Sequence, residues 1–241
     1  MSLILFAANL LETATVTVTS AAAGKPVTRL YDRDRGPQWE ATSNAQQDID
    51  LDNATAKDAT HVAFVNYSIT TQVDFYHGAA FPPATLLDTW TLSGDPDLRA
   101  LTSAVLSRYM RIRIRNGGVT PKLGELFIGV PRTITLNPYY RQSGKGTVGN
   151  VQRDRSRAGH LWAVQRGVKR IRLPYGWLTL SDANLTTLEA AYDELNQGAK
   201  NLVVQDPNAT SRWMSWLDER LAPVPVGGGL NEIAIELEEA P

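Results

Sequence analysis

From Tyr109 to Arg115 the chain reads Tyr-Met-Arg-Ile-Arg-Ile-Arg, with apolar Met110, Ile112 and Ile114 alternating with Arg111, Arg113 and Arg115. A two-residue period of this kind describes a β-strand with one face in a core and the other in water. Thr13 to Thr19 alternates in the same way, and His61-Val62-Ala63-Phe64-Val65-Asn66-Tyr67 is apolar almost throughout, as a central strand would be. Between them, Ala21-Ala22-Ala23-Gly24-Lys25-Pro26 breaks regular structure, and Asn116-Gly117-Gly118 ends the arginine strand. The segment Tyr76-His77-Gly78-Ala79-Ala80-Phe81-Pro82-Pro83 predicts a turn-rich loop, because its prolines lack donors and fix φ. Short strands separated by turns predict an antiparallel sandwich over the first half of the chain.

Past Gly129-Val130-Pro131 the pattern restarts, so the expected domains are 1–130 and 131–241, in keeping with a chain of 241 residues. Strands are predicted at Thr133–Leu136, Leu161–Gln165 and Val168–Leu173, and a final one has Ile233, Ile235 and Leu237 inward with Glu232, Glu236 and Glu238 outward. The Gly-rich stretch from Gln142 to Gly159 carries Arg153, Arg155 and Arg157 at alternate positions, and reads as a long hairpin arm or a mobile loop. One helix is predicted over about 181–197, with Ser181 as N-cap, Asp182 in its first turn, Leu185, Leu188, Tyr192 and Leu195 at helical spacing and Gly198 as its stop.

Three segments occur in order: Asn9-Leu10-Leu11, the Asp-rich turn Asp32-Arg33-Asp34-Arg35-Gly36-Pro37-Gln38-Trp39, and the arginine strand. Together they resemble a discoidin-type, galactose-binding-like domain, which implies an N-terminal jelly-roll β-sandwich. The second half, with Arg166-Gly167-Val168-Lys169-Arg170-Ile171-Arg172, its Leu-Ser-Asp helix start and its Glu-rich last strand, is similar to minor and distal tail proteins of long-tailed bacteriophages. That resemblance implies a β-barrel or sandwich with one packed helix and a place in a ring, a hexamer, at the tail tip or baseplate. Its implied partners are further copies of itself, the tail tube, hub and tape measure, and host surface glycan. DNA would be met only in passing through the lumen. The expected site is the virion, assembled in the host cytoplasm, and the expected role is structural, not enzymatic. The alternative is a free carbohydrate-binding module outside any virion.

Composition narrows the chemistry. With no Cys, disulfides, thiol nucleophiles and Cys-ligated zinc are excluded. Lys+Arg number 24 against 25 Asp+Glu, so no net field draws the molecule onto nucleic acid or an anionic membrane. The apolar start Met-Ser-Leu-Ile-Leu-Phe-Ala-Ala lacks a basic leader and reads poorly as a signal peptide, and no apolar run suffices for membrane insertion. His61, His77 and His160 stand apart from one another, and no Gly-x-Ser-x-Gly elbow is present.

The candidate sites each carry two readings. Asp32 and Asp34 sit in the turn that, in the resembled domain, often holds a calcium ion on an Asp and backbone carbonyls; the same acids also build Asx turns. Trp39, Tyr76 and His77 are the candidate ligand contacts, with Tyr31, Tyr67 and Phe81 also on or near loops, although isolated aromatics mostly fill cores. Arg111, Arg113, Arg115, Arg153, Arg155 and Arg157 pair with Glu236 and Glu238 of a neighbouring copy on one reading and with passing DNA phosphates on the other. Interspersed opposite charges favour the first.

Overall fold

The computed structural model describes residues 2–135, 146–148, 151–155, 161–165 and 170–240, with side chains described over 2–135 and 170–240. The chain is mainly β, with a single packed α-helix among the described residues, as its periodicities require.

The chain opens with β1 (Leu3–Phe6), followed by β2 (Thr15–Val18), β3 (Trp39–Glu40), β4 (Gln47–Tyr67), β5 (Gln72–Gly78), β6 (Thr85–Thr91), β7 (Asp97–Ile114) and β8 (Lys122–Gly129). From β2 onward these form one sheet, ordered β3-β8-β4-β7-β5-β6 with β2 added to β4. The two long strands carry it around a corner. β4 and β7 pair antiparallel from Gln47↔Ile114 to Phe64↔Asp97, and the register slips between Asp52 and Lys57 and again between Ala59 and His61. Bulges of this kind bend and twist a strand. One layer therefore holds β2, β5, β6 and the ends of β4 and β7 around Ile49, Leu51, Met110, Ile112 and Ile114. The other holds β3, β8 and the ends around Val62 and Phe64. Their inner faces share one core with Trp39, Val73, Phe75, Leu123, Leu126 and Ile128.

The second module continues with β9 (Arg132–Ile134), β10 (Gly146–Val148), β11 (Val151–Arg155), β12 (Leu161–Gln165), β13 (Arg170–Ser181), α1 (Asp182–Glu194), β14 (Leu202–Gln205), β15 (Ser211–Trp216), β16 (Val224–Gly227) and β17 (Leu230–Glu239). Its sheet runs β10-β13-β17-β15-β14-β1-β9, with β16 on β17. The sheets thus divide the chain differently from a single cut at 130: β1 lies between β14 and β9, with Leu5 opposite both Val204 and Arg132. The sandwich is an insertion between two neighbouring strands of the second sheet. Ser181 caps α1, its Oγ accepting from the Asn184 N–H, and Leu188, Ala191 and Tyr192 face the core with Leu3, Leu5, Trp177, Met214 and Leu237. The helix ends before the expected 197 because Asn196, Gln197 and Gly198 all take positive φ. Among the described residues no helix is long and apolar enough to cross a membrane.

A third apolar cluster joins the modules. Phe6, Val203, Trp213 and Ala240 from one side meet Ala63, Val65 and Phe127 from the other. β8 is consequently covered on both faces, which is why Lys122–Gly129 reads as a nearly unbroken apolar run. Arg33, held at φ 64°, crosses the junction. It donates to Glu12 Oε1 at 2.6 Å, to the Asn201 carbonyl at 2.6 Å and to the Ala7 carbonyl at 2.6 Å, and its guanidinium lies 4.5 Å from the Phe127 ring centre. Lys200 reaches the other Glu12 oxygen. Arg33→Ala strands buried carbonyls and a half-buried carboxylate, and is expected to cost about 3 kcal/mol. Urea denaturation followed by tryptophan fluorescence checks this.

Candidate functional site

The outward face of the sandwich is a lattice of ion pairs. Register sets Asp48, Asp50 and Asp52 of β4 opposite Arg113, Arg111 and Tyr109 of β7, and places Asp74, Tyr76 and Gly78 of β5 on the far side. Arg111 grips Asp50 through two bonds of 2.6 and 3.0 Å, and Arg113 grips Asp48 at 2.8 and 2.9 Å. Arg115 does the same to Asp74 at 2.8 and 2.9 Å. The Asp48 carboxylate holds the Arg113 guanidinium well above its usual range, and Asp74 raises Arg115 likewise. Burial alone would raise the Asp74 carboxyl, but its bonds from Arg115 and Thr89 outweigh that and hold it below the usual range. The arginines of β7, expected to pair with a neighbouring copy or with DNA, are paired with aspartates of the same chain. On β17 the pattern repeats, with Glu236 bound by Arg172 and Glu238 by Arg172 and Arg170. Arg153 and Arg155 lie on β11, whose side chains are outside the described residues, as is Arg157.

One end of this lattice becomes aromatic. Tyr76 pairs with Leu86 of β6, and the 79–84 turn folds Phe81 back over Gly78 so that its ring meets Tyr109 edge-on at 5.8 Å. A Cβ at Gly78 would stand 3.3 Å from Pro83 Cα, so the missing side chain lets the turn close tightly. Phe81 is 57% exposed and Leu86 47%. The Arg108 guanidinium lies 4.8 Å from the Tyr109 ring centre while binding Asp52 at 2.7 and 2.9 Å, and Arg113 lies 5.0 Å from the Tyr76 centre. Cation–π contacts and bidentate pairs fix these rings in place. The result is an exposed, pre-set aromatic surface bordered by guanidinium and carboxylate groups, suited to stack a flat or ring-shaped polar ligand.

The expected ligand residues separate. Tyr76 belongs to this platform, but it and His77 end a strand and do not sit in a loop, because β7 pairs with them. His77 lies opposite Met110 in the inward row, away from Tyr76. Trp39 is wholly buried, its Nε1 donating to the Ser20 carbonyl at 3.1 Å, so it plugs the core away from this platform.

The Asp-rich turn covers a buried acid. Asp32 accepts from the Asp34 N–H and Asp34 from the Gly36 N–H, so both acids shape the turn. Beneath it Glu125 is completely buried, against the Asp32 carboxyl and the Arg33 backbone N–H. Burial, then Asp32, push its pKa to about 9. Gly124 makes the fit possible: a Cβ there would be 3.0 Å from the Arg35 carbonyl. A cleft of about 410 Å³ opens alongside, between Glu12, Tyr31, Asp32, Arg33 and the 199–201 segment. Glu125 was missed in the sequence, although one acid within Leu123-Gly124-Glu125-Leu126-Phe127-Ile128 is the signal for it. Among the described residues no group of three or more His, Cys, Asp or Glu could hold a metal ion, and Asp32 and Asp34 accept from the turn's own N–H groups.

No protein-family model matches the chain, and no curated protein matches it significantly. Solved structures do. A chitosan-binding module from a Paenibacillus sp. IK-5 chitosanase/glucanase is 20% identical, with a TM-score of 0.44 over 51% of this chain and 99% of that one. A second module from the same enzyme, in complex with chitotriose, is 16% identical, with a TM-score of 0.44 over 51% of this chain and 100% of the module. A Ruminococcus gnavus GH29 fucosidase in complex with fucose is 19% identical, with a TM-score of 0.46, and the match covers 52% of this chain but 27% of the enzyme.

Glu125 gives a pH-dependent outcome. A folded pKa of about 9, above the free value of 4.5, means the fold binds this proton more tightly than the unfolded chain. Its full stability is present below pH 4.5 and is lost as pH rises through 9. At neutral pH the loss is about 3 kcal/mol. Glu125→Gln is expected to remove that slope, melting close to wild type in acid and above it in alkali; parallel thermal melts across pH check this.

Proposed function

We propose that this chain is a non-enzymatic structural protein of a bacteriophage or prophage tail tip, built to assemble with copies of itself and with other tail proteins. The observation that carries this reading is the insertion of the sandwich between β1 and β9, clamped by Arg33 and by the Phe6–Phe127–Trp213 contact. A module that serves only to tether an enzyme to a polysaccharide needs a linker. This one is built into a second sheet of comparable size, whose strand arm β11–β12 pairs with no other strand among the described residues. That layout supports a ring subunit with an outward sandwich, in the virion, after assembly in the host cytoplasm. Tube, hub and tape-measure proteins are the neighbours that the resemblance implies, and DNA would pass the ring without being held.

The aromatic platform of Tyr76, Phe81, Leu86 and Tyr109 supports contact with host surface glycan from the same position. Exposed aromatic rings beside bidentate Arg–Asp pairs give a sugar ring an apolar face and hydroxyl partners. The same observation is what a free carbohydrate-binding module would offer, so the two readings differ in assembly and not in this surface. Calcium is proposed at the Asp-rich turn, on Asp32, Asp34 and backbone carbonyls, as the resemblance implies.

Negative-stain imaging of particles carrying this chain with an affinity label tests the main reading: label in a ring at the tail tip is expected, and label absent from every particle overturns it. A glycan array tests the platform, where Phe81→Ala and Tyr109→Ala are each expected to weaken binding about ten-fold or more. Calcium is expected to raise the melting temperature of the wild type at neutral pH and leave Asp32→Asn/Asp34→Asn unmoved.

A further inference from the structure

The second sheet ends in an open apolar strand. Among the described residues β16 pairs with β17 alone, through Val224↔Glu232, Pro225↔Asn231 and Gly227↔Leu230, and all of its residues are exposed. Val224 is 57% and Val226 50% exposed. An edge strand with apolar side chains and unpaired backbone groups is a template for another strand, here with Pro225 supplying a carbonyl but no N–H. Glu236 and Glu238 are occupied by Arg172 and Arg170, which leaves Glu232 as the exposed carboxylate of this edge without an ion pair among the described residues.

The same chain carries a ribbon without a sheet. β11 and β12 pair with each other, Val151↔Gln165 to Arg155↔Leu161, and with no other strand among the described residues. Two strands alone are marginal in water. The sequence joins a basic strand, Val151-Gln152-Arg153-Asp154-Arg155, to an apolar one, Leu161-Trp162-Ala163-Val164. Edge and ribbon are complementary in backbone, in apolar character and in charge.

We propose that the β11–β12 arm of one copy adds to the free edge of β16 in the next copy, with β11 alongside β16 so that its arginines face Glu232. β11 and β17 would then lie two strand spacings apart, about 10 Å, which an extended Arg and a Glu span together. Arm and edge are different surfaces, so the contact is head to tail and propagates from copy to copy until the rotation closes a ring. This rests on the assembly reading above and deepens it by naming the joint.

The absence of Cys makes the test clean. Full-length Gln152→Cys and Val226→Cys proteins, prepared separately and mixed under mild oxidation, are expected to form a disulfide-linked heterodimer that neither forms alone. Light scattering across a concentration series is expected to show Glu232→Arg weakening association roughly ten-fold through like-charge contact, with Arg153→Glu/Arg155→Glu in the partner restoring it. Val226→Asp serves as a second probe, and melting curves confirm that each variant is folded. Wild-type association that Glu232→Arg and Val226→Asp leave unchanged, with no cross-link in the mixture, overturns the joint and leaves the assembly reading standing. A strict monomer at every concentration, together with its absence from isolated particles, overturns both.

Discussion

A strand covered on both faces cannot be left half in water, and the rest of this molecule follows from how β8 is covered. On one side Leu123, Leu126 and Ile128 complete the sandwich core; on the other Phe127 meets Phe6 and Trp213. Removing either layer would expose large apolar side chains, so the modules are held by the same hydrophobic effect that holds each together. Directional bonds then fix the angle. Arg33 satisfies two carbonyls and a carboxylate from separate segments with one planar group, which a flexible ammonium could not do. Its left-handed backbone is a local strain that the surrounding contacts offset.

Charge is used inward across most of the surface. The Asp48–Arg113 and Asp50–Arg111 pairs lie between β-strands, where each bidentate bond also pins register, because a one-residue slip would turn every arginine into the core. Half-buried pairs of this sort contribute little net stability each, and specify alignment. The exceptions are informative. Glu125 is an acid that forms no ion pair among the described residues, and Glu232 is an acid left open beside an apolar edge. Function on this fold has to be sought at such departures, since the fold alone does not fix it.

Much of the architecture was legible in the residues. Alternation at Met110, Ile112 and Ile114 and at Ile233, Ile235 and Leu237 marked strands whose inner faces are buried, and Ser181 marked the helix start. Periodicity reports a face, not a partner. It could not reveal that Leu3–Phe6 pairs with strands more than a hundred residues away, or that the exposed 54–58 bulge belongs inside one long β4. The site was legible in part. Tyr76 and Phe81 carried a signal as aromatics near a Pro-rich turn, but Tyr109 was hidden in a strand and His77 was turned inward by the pleat. Arg111, Arg113 and Arg115 were visible as charge, and only the register showed that Asp48, Asp50 and Asp74 consume it.

The place where the sandwich enters and leaves the second sheet has a consequence of its own. β1 and β9 are adjacent strands, so the two attachment points stand about one strand spacing apart, near 5 Å. A short turn would close that gap. The scaffold can therefore exchange its outer head as a cassette, provided any replacement brings an apolar lid for Phe6, Val203 and Trp213 and a cation to satisfy the Ala7 and Asn201 carbonyls.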